Sequence, residues 1–484
     1  MSLNRLSLRS CMPGMGNRWQ LKGAVSALLM PMLLGVSLAL LLNLEARGAA
    51  ADNPPVALQQ RIRHVVIIVQ ENRTPDSLFH DPVLIGLGAD IASVGLSTTG
   101  PIPLTSGALA TNYGAAHNHD AFETMYDKGK LDGANLIPIT CNSGAVDCPP
   151  AHPQYRYVNP GDVQPYFQMA EQYTFGDRMF QTNQGPSFPA HQFLISGTSA
   201  PTATSDLFAA ENVFPGTGAG CIAPAGSYVR LINPAGEETE TQYPCFEHLT
   251  LTDLLEGKGI SWRYYAATAN SIWTGPDAID HICQPQTKDG QLVCTGTAWK
   301  NVVIPQTQVL TDIAKNQLAE VTWVTPDGRA SDHASLNNGS GPSWVASIVN
   351  AIGSSPYWAD TAIFITWDDW GGWYDHVPPP KVLEDCKEWG CGYVYGFRVP
   401  LIVVSPYAKT SYISHVTHDF GSLLKFVEET FDLPSLGYAD AYADDFSDCF
   451  DFSQTATPFR KISAPITAQD FLNDKQPPID PDDD

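Results

Sequence analysis

A chain of 484 residues that is 43% hydrophobic and 16% charged, with 11 Trp, 18 Tyr and 20 Phe, has the apolar material to bury one large α/β domain or two smaller ones, which excludes intrinsic disorder. The formal net charge of −24 argues against a general nucleic-acid binder, because phosphate backbones demand an excess of Lys and Arg. The acidity serves solubility.

The chain opens on a targeting pattern. Arg5, Arg9, Arg18 and Lys22 precede an apolar stretch from Ala24 to about Leu44, and the small residues Gly48-Ala49-Ala50-Ala51 follow. That order predicts a signal peptide over 1–51 that is removed on export; left uncleaved, residues 24–44 are just long enough to anchor the chain in a membrane. The cysteines agree with export. Cys11 lies in the leader, Cys141/Cys148, Cys221/Cys245, Cys283/Cys294 and Cys386/Cys391 are close pairs predicted to close as disulfides, and Cys449 is left over. The absence of any CxxC pair argues against a zinc cluster.

His64 to Gln70 carry an unbroken apolar run, the pattern of a strand buried on both faces. Similar runs lie at 260–265, 320–324, 361–367 and 399–404, and helical patterns at about 161–173, 248–257, 307–318, 342–352 and 418–431. The alternation predicts an α/β fold, a mostly parallel central sheet flanked by helices, in a single domain over 52–470. Residues 198–245, rich in Gly, Pro, Ala and Thr, read as a loop excursion pinned by Cys221 and Cys245; the acidic tail 471–484 reads as frayed.

Four groups of residues carry candidate chemistry. Glu71-Asn72 follow the first buried strand, where open α/β sheets place their sites, and a carboxylate beside an amide oxygen suits a divalent cation. The plain alternative is a capped turn. Asp368-Asp369 follow a second buried strand and repel each other unless a cation or proton separates them; Gly371-Gly372 let the chain turn sharply beyond them. Ser187, in GPSFPAH, reads as the N-cap of a helix with Pro189 in its first turn, where free amides favour an anion. Beside a metal its hydroxyl could attack phosphorus; taken by itself, it is better explained as an ordinary capping serine. His117 and His119 in HNHD, His281 in DAIDHIC and His333 in SDHAS could contact phosphoryl oxygens or protonate a leaving group, although any single one is more readily structural or a surface residue. The sequence holds no GxxxxGK[ST] loop, no GxGxxG after a strand, no HExxH and no GxSxG elbow, which argues against nucleotide binding, a zincin and a lipase-type triad.

On these residues the chain resembles the phosphoesterase family of bacterial phospholipases C and secreted acid phosphatases, part of the alkaline phosphatase superfamily. HVVIIVQENRTPDSLF, HNHDAFETMYDKGKLDGAN, GPSFPAHQFLISGT, CFEHLTLTDLLEGKGISWRYY, TWDDWGGWYDHVPPP, GFRVPLIVVSPYAK and DFGSLLKFVEETFDLPSL carry the resemblance, over about residues 62–465. It implies an alkaline-phosphatase-like fold, a divalent metal (Ca, Mg, Mn or Zn) on Glu71, Asn72, Asp368 and Asp369, Ser187 as nucleophile through a phosphoenzyme, and His117, His281 and His333 at the site. Thr74-Pro75-Asp76 departs from the family's common Ser-Phe-Asp. Sulfatases of the same superfamily have Arg where His191 stands, which argues against that relative.

The expected function is an exported, metal-dependent hydrolase of phosphoric esters. Its substrate is a phosphate ester, with phospholipids among the candidates; no nucleic acid is expected, and no stable membrane partner once the leader is cleaved. The larger members of the family carry C-terminal domains, and this sequence, ending soon after the core, is more similar to the acid phosphatases. The alternatives are a secreted, non-catalytic ligand-binding relative and a protein anchored through 24–44.

Overall fold

The computed structural model describes residues 54–383 and 393–479. The leader and the Cys386/Cys391 pair lie outside the described residues. Eight strands form the central sheet: β1 His64–Gln70, β2 Thr174–Gly176, β3 Trp262–Tyr265, β4 Val302–Val303, β5 Val321–Val324, β6 Thr361–Trp367, β7 Leu401–Val404 and β8 Tyr412–Ser414. Their order is β4-β3-β5-β1-β6-β7-β2-β8. β1 runs parallel to β5 and β6, β3 to β4 and β5, and β2 to β8, while β7 is antiparallel to β6 and β2. One reversed strand in eight leaves the sheet mostly parallel.

β1 and β6 lie in the middle because they are apolar and mostly β-branched, with no face to offer water; every residue of β6, and all of β1 but His64, is buried. Seven residue pairs join them, from His64↔Thr361 to Gln70↔Trp367. Glu71-Asn72 and Asp368-Asp369 therefore leave the sheet side by side, at the same level.

Helices cover the sheet. They include α1 Gln164–Gln172, α2 Ser187–Ser196, α3 Leu251–Lys258, α4 Gln308–Ala314, α5 Gly341–Gly353 and α6 Phe420–Phe431. α5 packs on α1 and α4, and α6 packs on α2. All ten residues of α2 are buried, as expected of a helix that passes through the core with no solvated face. Among the described residues no helix is long and apolar enough to cross a membrane.

Two expectations change. The excursion at 198–245 is not all loop: Val229–Ile232 pairs antiparallel with Glu240–Gln242 and Phe208–Ala209, and the Cys221–Cys245 disulfide closes over it. Its Gly and Pro content hid a short apolar strand. The tail is not frayed up to residue 479. Gly328 donates its N–H to the Ile479 carbonyl at 2.9 Å, and Arg329 Nη2 reaches the Pro477 carbonyl at 2.7 Å. The Cys141–Cys148 and Cys283–Cys294 disulfides also form, and Cys449 is a buried free thiol.

Candidate active site

The turn after β1 is held in an unusual conformation. Asn72 has φ +63°, a left-handed geometry that Asn tolerates better than most residues. Its N–H donates to Asp368 Oδ1 at 3.0 Å, and its Nδ2 donates to Asp369 Oδ1 at 3.1 Å. The N–H of Arg73 donates to the Asp369 carbonyl at 3.0 Å. The facing turn folds just as tightly. Gly371 sits at φ +64°, and a Cβ there would lie 2.6 Å from both Asn72 Cβ and the Asn72 carbonyl oxygen. A glycine is required because two backbones meet at this point.

Ser187 reaches the same place from α2. The N-cap is Pro186, and Ser187 is the first helical residue, so the expectation of a capping serine is corrected. Its hydroxyl donates to Asp369 Oδ2 at 3.3 Å. The neighbouring amide is occupied, since Phe188 N–H donates to Asn212 Oδ1 at 2.9 Å. Asn212 belongs to the 198–245 excursion, ahead of its Cys221–Cys245 disulfide. So does Glu211, which accepts from His119 N–H at 3.0 Å and is pushed up to about 7 by burial.

His191 was not singled out by sequence, yet it is central. One helical turn beyond Ser187, it is fully buried with Nε2 3.5 Å from Glu71 Oε1 and 4.0 Å from Asp368 Oδ2. Tyr264 donates its hydroxyl to the Trp273 carbonyl at 2.8 Å, and its oxygen lies 3.3 Å from His191 Nδ1. That oxygen therefore accepts from Nδ1–H, which leaves the Nε2 lone pair aimed at the carboxylates. Burial lowers the imidazole to about 4, so it is neutral near pH 7.

Five buried atoms at this point have no hydrogen-bond partner: Glu71 Oε1 and Oε2, Asn72 Oδ1, Asp368 Oδ2 and His191 Nε2. Unmet acceptors cost about 1–3 kcal/mol each, so a cluster of five that converges calls for an outside cation. Ligand atoms of Glu71, His191 and Asp368 all lie within 4.8 Å of one another. Burial, and then the neighbouring Asp368, push both Glu71 and Asp369 well above the carboxylate range. The donor set thus fits a divalent metal. Asp369 differs from the rest, because both its oxygens already accept hydrogen bonds, from Asn72 and Gly371 at one and from Ser187 at the other.

The predicted histidines divide. His117 is buried, with Nδ1 2.9 Å from the Ala115 carbonyl, so that Nε2 accepts from Asn72 Nδ2 at 3.0 Å. His333 packs edge-on to it, ring centroids 5.7 Å apart, with Nδ1 2.6 Å from the Ala334 carbonyl. His281 is not brought to the cluster. It lies half-buried on Asp280–Cys283, paired with Glu247 at 2.9 Å and Asp253 at 3.0 Å, and Asp253 lifts it to about 9.

A second group of buried charges backs the same two turns. Arg398 Nε lies 3.0 Å from both Asp375 oxygens, and Nη2 lies 3.3 Å from Asp76 Oδ1. His376 bridges Asp76 Oδ2 at 2.7 Å and Asp90 Oδ1 at 2.9 Å. The departure at Thr74-Pro75-Asp76 is absorbed here. Thr74 caps the short helix Pro75–Leu78 by a reciprocal bond with Ser77, and Asp76 meets Arg398.

With this geometry in view, the chain belongs to the Phosphoesterase family, whose profile matches residues 62–434. It is 24% identical over 460 residues to the hemolytic phospholipase C of Pseudomonas aeruginosa, covering 84% of this chain and 58% of that protein. The non-hemolytic phospholipase C of the same organism is 25% identical over 456 residues, covering 84% and 60%. The non-specific phospholipase C6 of Arabidopsis thaliana is 23% identical over 443 residues, covering 84% and 75%. The chain thus spans about 60% of the length of the two bacterial relatives. A solved structure from Vibrio parahaemolyticus, a protein in the alkaline phosphatase superfamily, aligns with TM-score 0.33 and 8% identity over 79% of this chain and 70% of that one; likeness at that level carries no argument.

Proposed function

We propose that this chain is an exported hydrolase of phosphoric esters, a single catalytic domain in which Ser187 is the nucleophile beside a metal cluster. The observation that supports it best is the meeting of Ser187 Oγ with Asp369 Oδ2 at 3.3 Å, beside five unpartnered acceptor atoms. Family membership and the three disulfides agree with the reading.

Glu71, Asn72, Asp368 and His191 would hold the metal, with Asp369 completing the set on the serine side. A bound divalent ion supplies positive charge that stabilises an alkoxide and the phosphoryl oxygens. Four oxygen-bearing side chains and one imidazole make a mixed donor set that suits an ion such as Mn²⁺ or Zn²⁺. Ser187 gives its proton toward Asp369 Oδ2, which already accepts its hydroxyl at 3.3 Å. Oγ then bonds to phosphorus as the bond to the leaving oxygen breaks. The leaving oxygen takes up the proton that Asp369 received, on a path lined by His117, whose Nε2 lies 3.9 Å from Asp369 Oδ2, and by His333 beside it. Water next bonds to phosphorus, the bond to Oγ breaks, and Ser187 recovers its proton. Two displacements imply retention of configuration at phosphorus.

Phosphodiesters and phosphomonoesters both fit this chemistry. The similarity to phospholipases C puts phospholipid diesters first. The test compares nitrophenyl phosphorylcholine with nitrophenyl phosphate, with Ser187→Ala as control. Preference for the diester supports a phospholipase C and preference for the monoester a phosphatase. Activity on neither by metal-loaded protein would overturn the catalytic reading in favour of a binding protein.

A further inference from the structure

A cavity of about 420 Å³ opens beside the proposed catalytic turns, and none of the cluster residues lines it. Its walls include Arg73, Arg156, Tyr113, Tyr157 and Trp373 and, among the described residues, no carboxylate. In a chain whose acids outnumber its bases 51 to 27, two guanidinium groups on an acid-free wall are a marked local inversion of charge. The walls are built rather than incidental. Thr105–Gly107 pairs with Arg156–Val158 as a two-stranded ribbon. Tyr157 stacks on His80 at 3.8 Å, and the Arg73 guanidinium lies 4.6 Å above Trp373. Arg73 is buried, with Nε and Nη2 tied to the Asp332 and Leu109 carbonyls. Arg156 Nη1 is tied to the Ser106 carbonyl, but its Nε is buried with no hydrogen-bond partner. Two guanidinium groups on a wall without acids favour an anion in the space between them and the aromatic rings.

We propose that this cavity binds an oxyanion, the phosphate or carboxylate group of a small molecule, on Arg156 and Arg73, with the aromatic rings packing its organic part. Arg73 follows Asn72, and its N–H holds the Asp369 carbonyl, so an occupant would sit one residue from the proposed metal ligands. Two sources share this chemistry: a second anionic group on the substrate, or a free anion such as released phosphate.

Inorganic phosphate is titrated calorimetrically into the purified full chain, into Arg156→Gln and into Arg156→Lys. We expect a phosphate site that Arg156→Gln weakens at least tenfold and Arg156→Lys largely keeps. This site is present whether or not Ser187 acts as a nucleophile, so its failure and that of the proposed reaction are distinguishable. Kinetics on a matched bisphosphate and monophosphate pair assign the source. A KM raised at least tenfold by Arg156→Gln for the bisphosphate alone assigns the cavity to the substrate; unchanged KM values with the binding site lost assign it to the free anion. Phosphate affinity and stoichiometry unaltered in Arg156→Gln would overturn the proposal.

Discussion

Two groups of buried carboxylates leave the same pair of strands and meet opposite fates. Asp76 and Asp375, five and seven residues beyond Glu71 and Asp368, are neutralised within the protein by Arg398 and His376. Both Glu71 oxygens and Asp368 Oδ2, at the strand ends, find no hydrogen-bond donor, and a neutral imidazole is their neighbour. The first group is finished by the fold; the second is left for something that arrives later. Stability is gathered in one and, on the proposed function, chemistry in the other, a few residues apart.

The sharpest way to break this division is Ser187→Ala. It should lower kcat/KM by roughly 10³-fold or more, as for loss of a covalent nucleophile, with little change in unfolding midpoint; a loss under tenfold would place the nucleophile elsewhere. Arg398→Leu should do the reverse. It strands two fully buried carboxylates and should cost about 3–5 kcal/mol in denaturant unfolding. The groups should also respond with opposite sign to loss of a carboxylate. In metal-free protein Glu71→Gln removes a carboxyl group whose oxygens have no partner and whose charged form burial disfavours, and should stabilise by about 1–3 kcal/mol, whereas Asp375→Asn should destabilise. Metal at about 100 times its Kd should then stabilise the wild type by about 2.7 kcal/mol and Glu71→Gln by much less. Equal effects of both substitutions would erase the distinction.

The smallest effect is a pH dependence. His376 is held at about 8, against burial, by its hydrogen bond and charge pairing with Asp76. A histidine raised in the folded state contributes stability fully below its unfolded pKa of about 6.5 and loses it as pH rises through about 8, here at most about 2 kcal/mol. The difference in unfolding free energy between wild type and His376→Asn should shrink across that window; a flat difference would show the imidazole to be uncharged throughout.

Sequence made the ends of β1 and β6 readable because a long apolar run stopped abruptly at polar residues in both places. Their neighbouring registers then brought together the two pairs singled out. His191 lay within a quoted motif, and its separation of four residues from Ser187 on a helix could have flagged it, since that spacing puts both on one face. Arg398 and Asp76 are 322 residues apart, and no local pattern joins them. His281 failed for the opposite reason. Its surroundings at 266–300 carry short elements and a disulfide-closed hairpin rather than a periodic signal, and the fold turns it toward Glu247 and Asp253. The short strands β2, β4 and β8 have too few residues for alternation to register.

The pairing of Gln70 with Trp367 has a dimensional consequence. Adjacent strands stand about 4.8 Å apart whatever their side chains, so the sheet works as a fixed caliper across which the two polar pairs face each other. Side-chain substitution alters the reach of each jaw by a methylene at a time, as between Asp and Glu, but leaves the opening untouched. One residue inserted into β6 would instead send its alternate side chains to the other face and break the gauge altogether. Relatives that accommodate a cation of different radius should therefore do so by exchanging carboxylate length at these strand ends, with the length and register of the two strands unchanged.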